Sequence, residues 1–249
     1  MRPLVTELNL LFGRVDAAFK AREDFVADAA HELRSPLAAL KLQLQALQRA
    51  PNDGARSVAI TRLGAGLERA ARLVEQLLVL ARQDAAAAAG GPSEKIVLAD
   101  LVRSALADAA PLAHVRQIDL ALCEADEAPI DGHAEPLRTL IRNLLDNAFK
   151  YTPQGGRVHA FVRRHGAGVA LVVEDSGPGI AAAERDRVFD RFYRVAASRD
   201  VSGSGLGLAI VKAIADRHGA RLALGDSEQL GGLRASVEFP MAGQASPGA

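Results

Sequence analysis

The chain has one cysteine, no tryptophan and no surplus of charge of either sign. A lone thiol, Cys123, excludes an intrachain disulfide and any metal site built from several cysteines, in keeping with a reducing compartment. Its place between Leu122 and Glu124 predicts a strand residue rather than a reactive thiol. Thirty Lys and Arg residues balance thirty Asp and Glu, so the chain lacks the basic excess that a nucleic-acid binder needs to neutralise phosphates. Nucleic acid is therefore not an expected partner. No window approaches the roughly 20 continuous apolar residues of a membrane span, and Glu7 and Asn9 break the apolar start that a signal peptide would need. The expectation is a soluble chain without internal repeats. Its 249 residues suffice for one large or two modest domains.

What is present begins with an apolar seam. Leu8, Phe12, Val15, Phe19, Val26, Ala29 and Leu33 recur at coiled-coil spacing, and Leu37, Leu40, Leu44 and Leu47 carry the seam onward. Pro51-Asn52-Asp53-Gly54 should end this helix near Ala50. A second seam follows at Ile60, Leu63, Leu67, Ala70, Val74, Leu77 and Ala81. Two amphipathic helices joined by a short turn form a hairpin with one apolar stripe on each arm. Such a hairpin cannot cover both stripes alone, so pairing with a second copy into a four-helix bundle is part of the expected fold. The seam is already in phase at Leu8, as if residues 1–19 were the end of a longer upstream helix, although a helix starting at Pro3 fits equally well.

His31 lies two residues from both Ala29 and Leu33. At about 100° per residue it points away from the seam, toward water. An imidazole so placed is a nucleophile available to a partner domain, and Glu32 stands beside it.

Beyond a linker from Asp84 to Lys95, where an alanine run that can prolong the helix meets Gly90-Gly91-Pro92, which should stop it, an α/β domain extends to about Pro240. Helices are expected at residues 100–112, 135–150 and 206–218. Strands are expected at residues 118–122, 157–163, 169–174, 221–224 and 233–239. Because strands and helices do not alternate regularly, an α+β sandwich is favoured over a doubly wound sheet. The residues from Ala242 onward are expected to be a disordered tail.

Four motifs in this domain have a nucleotide-binding rationale. Asn143 and Asn147 are one helical turn apart and share a face, their carboxamide oxygens suit Mg2+, and Lys150 adds a positive charge near the same end. Asp175-Ser176-Gly177-Pro178-Gly179-Ile180 follows an apolar strand, and its carboxylate can accept a hydrogen bond from adenine's exocyclic amino group. In Arg187-Val188-Phe189-Asp190-Arg191-Phe192-Tyr193-Arg194 the phenylalanines can anchor a loop while arginines face a polyphosphate. Gly203-Ser204-Gly205-Leu206-Gly207-Leu208 opens a helix whose free N–H groups favour an anion, with neither the dinucleotide spacing nor the P-loop ending.

In this order, after a helical hairpin, the four motifs resemble the asparagine, glycine and phenylalanine boxes of the histidine-kinase branch of the Bergerat-type ATPases. Phe25 to Leu37, with His31-Glu32-Leu33-Arg34-Ser35-Pro36 at its centre, resembles the phosphoacceptor box of sensor histidine kinases. The likeness covers residues 20–240. It implies a dimerisation and phosphotransfer domain at 20–84, a linker at 85–95, a catalytic ATP-binding domain at 96–240 and a tail at 241–249.

The resemblance further implies ATP and Mg2+ as cofactors. Asn147 would be the metal ligand, with Asn143, Lys150 and Tyr151 lining the triphosphate and ribose side. Asp175 would receive the adenine amino group in a pocket shaped by Gly177, Gly179 and Ile180. Residues 181–202 would be a mobile lid, pinned by Phe189 and Phe192, carrying Arg191 and Arg194, and closed over phosphates by Gly203, Gly205, Gly207 and Leu208. Gly231-Gly232 resembles a further glycine turn. His31 would take the γ-phosphoryl group with Glu32 as base, and an aspartate of a response regulator would then receive it. Ser35, where threonine or asparagine is usual in the family, would support a weak phosphatase activity toward that regulator. The implied setting is the cytoplasmic portion of a bacterial inner-membrane sensor, meeting the membrane only through an upstream region.

Two readings from other classes compete. A Bergerat-type clamp ATPase leaves His31 and Glu32 without a role, and phosphorylation on histidine separates it from a kinase. A catalytically silent dimerisation scaffold is opposed by the retention of His31, Asn147, Asp175 and the lid glycines, and ATP hydrolysis would exclude it.

Overall fold

The computed structural model describes residues 2–89, 93–195 and 203–242. The expectations placed on Gly90-Gly91-Pro92, on residues 196–202 and on the tail from residue 243 lie outside them. The chain divides into two compact units, Met1–Leu77 and Leu78–Ala249. No helix among the described residues is long and apolar enough to cross a membrane.

The first unit is helical. Helix α1 runs through Arg2–Gln48, and α2, which continues into the second unit, covers Asp53–Ala89. Asn52 explains the restart: its Oδ1 accepts the N–H of Ala55 at 2.8 Å, so the side chain caps α2. Pro36 sits inside α1, where its missing N–H deprives the Glu32 carbonyl of its helical donor. Each apolar seam splits into two rows. Leu33, Leu40, Leu47, Leu63 and Ala70 are half-buried and Leu77 is buried, whereas Val26, Leu37, Leu44, Ile60, Leu67 and Val74 are exposed. Within a single chain the hairpin therefore leaves an apolar row on each arm facing water.

The second unit is an α+β sandwich. Strands β1 (Glu94–Val97) and β3 (Pro129–Gly132) form a small antiparallel sheet. The main sheet has the order β2-β4-β5-β7-β6, with β2 at Asp119–Ala125, β4 at Arg157–His165, β5 at Gly168–Asp175, β6 at Arg221–Asp226 and β7 at Leu233–Pro240. The β2–β4 pair is parallel and the others are antiparallel. Helices are α3 (Leu98–Val115), α4 (Ala134–Tyr151) and α5 (Gly207–Arg217), with α4 packed between α3 and α5 and against β5. Leu137, Leu140, Ile141, Leu144, Leu145 and Ala148 bury one stripe of α4 at helical spacing. β5 is buried from Val169 to Asp175, as a central strand should be.

Several boundaries differ from the sequence reading. Helix α2 continues to Ala89, through the alanine run that the sequence allows to prolong it, whereas β1 takes Glu94 and Lys95 from the expected linker. The alanines are strong helix formers and prolong α2. The strands β1 and β3 were not expected, being four residues each and stabilised chiefly by each other. Met241 and Ala242 are not loose, since their N–H groups donate to Ala167 and Pro129 carbonyls at 3.3 and 3.2 Å. Cys123 is the extra residue of a β-bulge, because Leu122 and Glu124 pair with the consecutive Ala160 and Phe161. Desolvation, then the carboxylates of Asp119, Glu124 and Glu174, push the pKa of this exposed thiol up, which disfavours the thiolate.

Candidate functional site

The C-terminal half of α4 presents the two asparagines. Neither is on a solvated face: Asn143 is buried and Asn147 half-buried. Asn143 uses its Nδ2 to donate to the Thr139 carbonyl at 2.8 Å, which fixes the carboxamide along the helix. A Cβ at Gly207, the first residue of α5, would stand 3.2 Å from Asn147 Nδ2, 3.3 Å from Asn147 Oδ1 and 3.4 Å from Asn143 Oδ1. The start of α5 thus meets both asparagines, and glycine leaves room for their carboxamides between the helices. At the helix end the Lys150 ammonium donates to the Tyr151 hydroxyl at 3.0 Å and lies 4.7 Å from that ring's centroid. A Cβ at Gly203 would collide with the same ammonium, so the glycine-rich loop passes directly over Lys150.

Arg116 holds this end of α4. Its guanidinium donates to the Phe149 carbonyl and, at 2.7 Å, to the Thr152 carbonyl, satisfying acceptors that a helix terminus leaves open. Sequence reasoning missed this residue, because it lies more than 30 positions from its partners.

Asp175 ends the central strand and is only 4% exposed. Its Oδ1 accepts the N–H of Gly177 at 2.8 Å and of Leu233 at 3.2 Å. Among the described residues both donors converge on one oxygen, which leaves Oδ2 to accept from a ligand. Burial raises the carboxyl pKa above its ordinary value, and the two N–H groups partly oppose that shift. Gly232 closes over the same group: a Cβ there would stand 2.5 Å from Asp175 Oδ1 and 2.6 Å from the Gly177 nitrogen. Ile180, half-buried after the glycine turn, gives its carbonyl to Arg185 Nε at 3.0 Å, and Arg185 also reaches Asp226 at 2.5 Å.

Residues 181–195 form two 3₁₀ turns, Ala182–Glu184 and Arg187–Phe189, rather than a helix. The buried anchor there is Val188, while Phe189, Arg191, Phe192 and Arg194 are half-buried. Tyr193 donates to Glu184, and the Arg187 guanidinium covers the Tyr193 ring at 4.3 Å. In the glycine-rich loop the Ser204 hydroxyl accepts the N–H of Leu206 at 3.2 Å. Leu206, fully buried, is the anchor of α5, and Leu208 is only half-buried. The N-cap residue of α5, Leu206, makes no side-chain cap hydrogen bond, and a helix start of this kind favours an anion.

The first unit carries the other half of the chemistry. His31 and Ser35 are exposed on α1, one turn apart, and Glu32 is half-buried. The structure therefore presents the imidazole and the serine on one accessible face.

Comparison with known proteins divides the chain in the same way. Residues 21–86 match the His Kinase A (phospho-acceptor) domain, and residues 132–243 match the histidine kinase-, DNA gyrase B- and HSP90-like ATPase family. Sensor protein QseC of Escherichia coli is 41% identical over 241 residues, 96% of this chain and 52% of the relative. The chain thus spans about half the length of the curated relatives it matches. The structure of the mycobacterial sensor histidine kinase MprB is 32% identical, with a TM-score of 0.53 over 60% of this chain and 98% of that one. Full-length ShkA, solved in complex with AMPPNP, is 27% identical, with a TM-score of 0.62 over 90% of this chain and 47% of that one. A phosphoacceptor hairpin, a Bergerat-type ATPase fold and these relatives agree: the chain belongs to the sensor histidine kinases.

Proposed function

We propose that this chain is an ATP-dependent protein-histidine kinase core that phosphorylates its own His31 and passes the phosphoryl group to an aspartate of a response regulator. One observation carries the reading. A single chain holds both an exposed imidazole beside Glu32 and a buried carboxylate whose backbone donors occupy one oxygen and leave the other for an amino group. A clamp ATPase would need only the second.

Asp175 accepts from the adenine amino group through Oδ2, and Gly177, Gly179 and Ile180 shape the pocket around the base. Asn143, Lys150 and Tyr151 line the ribose and phosphate side. Arg191 and Arg194 add positive charge from the 3₁₀ segment, with Phe189 and Phe192 beneath it. Gly203, Gly205, Gly207 and Leu208 bring backbone N–H groups to the phosphates. Asn147 would hold Mg2+, and the fit rests on the space at Gly207, where the carboxamides of Asn147 and Asn143 converge with both Oδ1 atoms at its edge. No group of three or more His, Cys, Asp and Glu among the described residues could hold a metal, which suits a cation held largely by phosphate and water. When bound, the cation supplies charge neutralisation. The AMPPNP in the ShkA complex supports a nucleotide in this fold.

At His31 one ring nitrogen forms a bond to the γ-phosphorus while the bond to the bridging β-phosphate oxygen breaks and ADP leaves. Glu32 orients the imidazole and accepts its other proton. Positioning and charge neutralisation dominate such transfers, so Lys150 and the arginines carry much of the rate. Ser35 places a water for the reverse activity, hydrolysis of the regulator's aspartyl phosphate. The exposed rows on α1 and α2 pair with a second copy to form a homodimer. Helix α1 runs from Arg2 past residue 19 without a break, in keeping with a signalling helix that enters from upstream, and the chain would be the cytoplasmic portion of an inner-membrane sensor whose relatives are about twice its length.

Incubation with γ-labelled ATP and Mg2+ tests the proposal. The expected label is acid-labile and alkali-stable, and His31→Gln removes it while nucleotide binding persists. Undiminished labelling of His31→Gln would overturn the assignment.

A further inference from the structure

The turn between β6 and β7 is fastened to the back of the adenine-binding strand. The Ser227 hydroxyl donates to Glu174 Oε2 at 2.7 Å and accepts the N–H of Leu230 at 3.0 Å. The Ser227 N–H donates to the Gly232 carbonyl at 2.8 Å, and the Gly231 N–H donates to the Ser227 carbonyl at 2.8 Å. Arg234, opposite Glu174 on β7, places its Nε 3.3 Å from Glu174 Oε1. Ser227 is 3% exposed and Glu174 6%, so their hydrogen bond lies away from water, while the Arg234 side chain covers it from a half-exposed position.

The same turn serves Asp175. It seats Gly232 against the Asp175 carboxylate and supplies the Leu233 N–H that fixes Oδ1. Glu174 and Asp175 are consecutive residues of an extended strand, so their side chains leave opposite faces of the sheet. The turn reaches round the sheet end and engages both carboxylates. From this we infer that Glu174 and Ser227 are positioning residues for adenine recognition, an inference that rests on the nucleotide reading of Asp175 proposed above.

The physical chain is short. Without the Ser227 hydroxyl, a buried Glu174 oxygen and the Leu230 N–H lose their partner, and an unmade buried hydrogen bond is costly. The turn relieves that cost by moving toward water. Such a movement withdraws the Leu233 N–H from Oδ1, and the carboxylate is then free to rotate away from the orientation that offers Oδ2 to adenine.

Calorimetric titration of the whole chain with ADP and with inosine diphosphate, which carries an oxo group in place of the amino group, tests this. The native protein should prefer ADP. Ser227→Ala should bind ADP roughly threefold to tenfold more weakly, the loss of one hydrogen bond's worth of orientation, with inosine diphosphate unchanged. Ser227→Thr, which keeps the hydroxyl, should retain the preference. If Ser227→Ala does not fold, Glu174→Gln, which preserves volume but puts an amide where two donors converge, carries the same comparison. An equal loss for both nucleotides marks a merely structural role and overturns the inference. An unchanged ratio in Ser227→Ala and Glu174→Gln overturns it too, while the native preference stands. A native protein that does not distinguish the two nucleotides overturns the reading of Asp175 itself.

Discussion

The backbone N–H of Phe192 donates to the carbonyl of Gly205 at 3.1 Å, and both residues have left-handed φ, 63° at Phe192 and 74° at Gly205. The 3₁₀ segment and the glycine-rich loop are thus tied backbone to backbone immediately before α5 begins. A non-glycine residue in this region costs about 1 kcal/mol or more, and Phe192 bears that cost where the two segments meet.

Gly205→Ala should break the tie. Its Cβ would stand 2.7 Å from the Phe192 carbonyl carbon, and alanine disfavours φ of 74°. Together these should lower domain stability by about 1–3 kcal/mol and reduce autophosphorylation more than ADP binding. Urea unfolding and a labelling assay measure both, and unaltered labelling at unaltered stability would contradict the tie's importance.

Asp175→Asn should weaken ADP binding on the order of tenfold to a hundredfold, because an amide presents a donor to adenine's donor. The fold should not suffer. The carboxyl pKa is raised in the folded state, so the ionised group opposes folding once the pH rises above the unfolded value of 3.8. Asparagine removes that charge and keeps an oxygen for the Gly177 and Leu233 N–H groups. Thermal melting at pH 7 should show equal or higher stability, and a marked loss would disprove the sign.

Leu67→Glu tests the dimer. Leu67 is 62% exposed in the single chain, so a charge there costs little within one hairpin. Across a dimer interface, losing a buried leucine removes about 1.5–3 kcal/mol per subunit, before any cost of burying the charge. Sedimentation at micromolar concentration should shift from dimer to monomer, and an unchanged dimer would place the interface elsewhere.

The hairpin, the main sheet and α4 were legible because their signals are local. Asn143 and Asn147 announce themselves by i, i+4 spacing, and β5 by an unbroken apolar run. Short strands such as β1 and β3 lack enough residues to show a period. The contacts that shape the site are non-local, with Glu174 meeting Ser227 across 53 positions and Arg116 capping α4 across more than 30. No residue pattern encodes such meetings before the chain is folded. That Leu206 is the enclosed leucine at the start of α5 was illegible for a similar reason, since only the packed α4–α5 interface selects which leucine is buried.

His218 predicts a pH dependence. Its ring lies between His133 and Phe239, with Nδ1 donating to the Ile214 carbonyl at 2.7 Å and Nε2 accepting the His133 N–H at 3.2 Å. A neutral ring satisfies both bonds. Burial lowers its pKa below 6.5, the Ile214 carbonyl opposes this, and His133 and Arg217 lower it further. The unfolded chain therefore binds the proton first, and stability should fall as pH drops through about 6.5 toward the folded value. Asp175 works in the opposite sense, its penalty fading as pH falls through its raised folded value toward 3.8. It is common to both proteins, so the native and substituted profiles are compared over pH 7 to 5.5. His218→Asn should flatten the melting temperature over that range, and an equally steep profile would assign the dependence to another group.

On the proposed reading, Ser35 sets the strength of the reverse, phosphatase activity. It is exposed one turn after His31, and Pro36 follows it without interrupting α1. Threonine's β-branch stiffens the rotamer that holds a hydroxyl in place, and serine lacks it, so a water aimed at the regulator's aspartyl phosphate should be held less well. Ser35→Thr should therefore raise phosphatase activity severalfold. Ser35→Ala should abolish it while labelling at His31 continues, because the hydroxyl takes no part in the attack of the imidazole. Each variant mixed with purified phospho-regulator and ADP gives the rates. Equal dephosphorylation by the serine and alanine forms would remove Ser35 from the mechanism and leave it as a helix residue before Pro36.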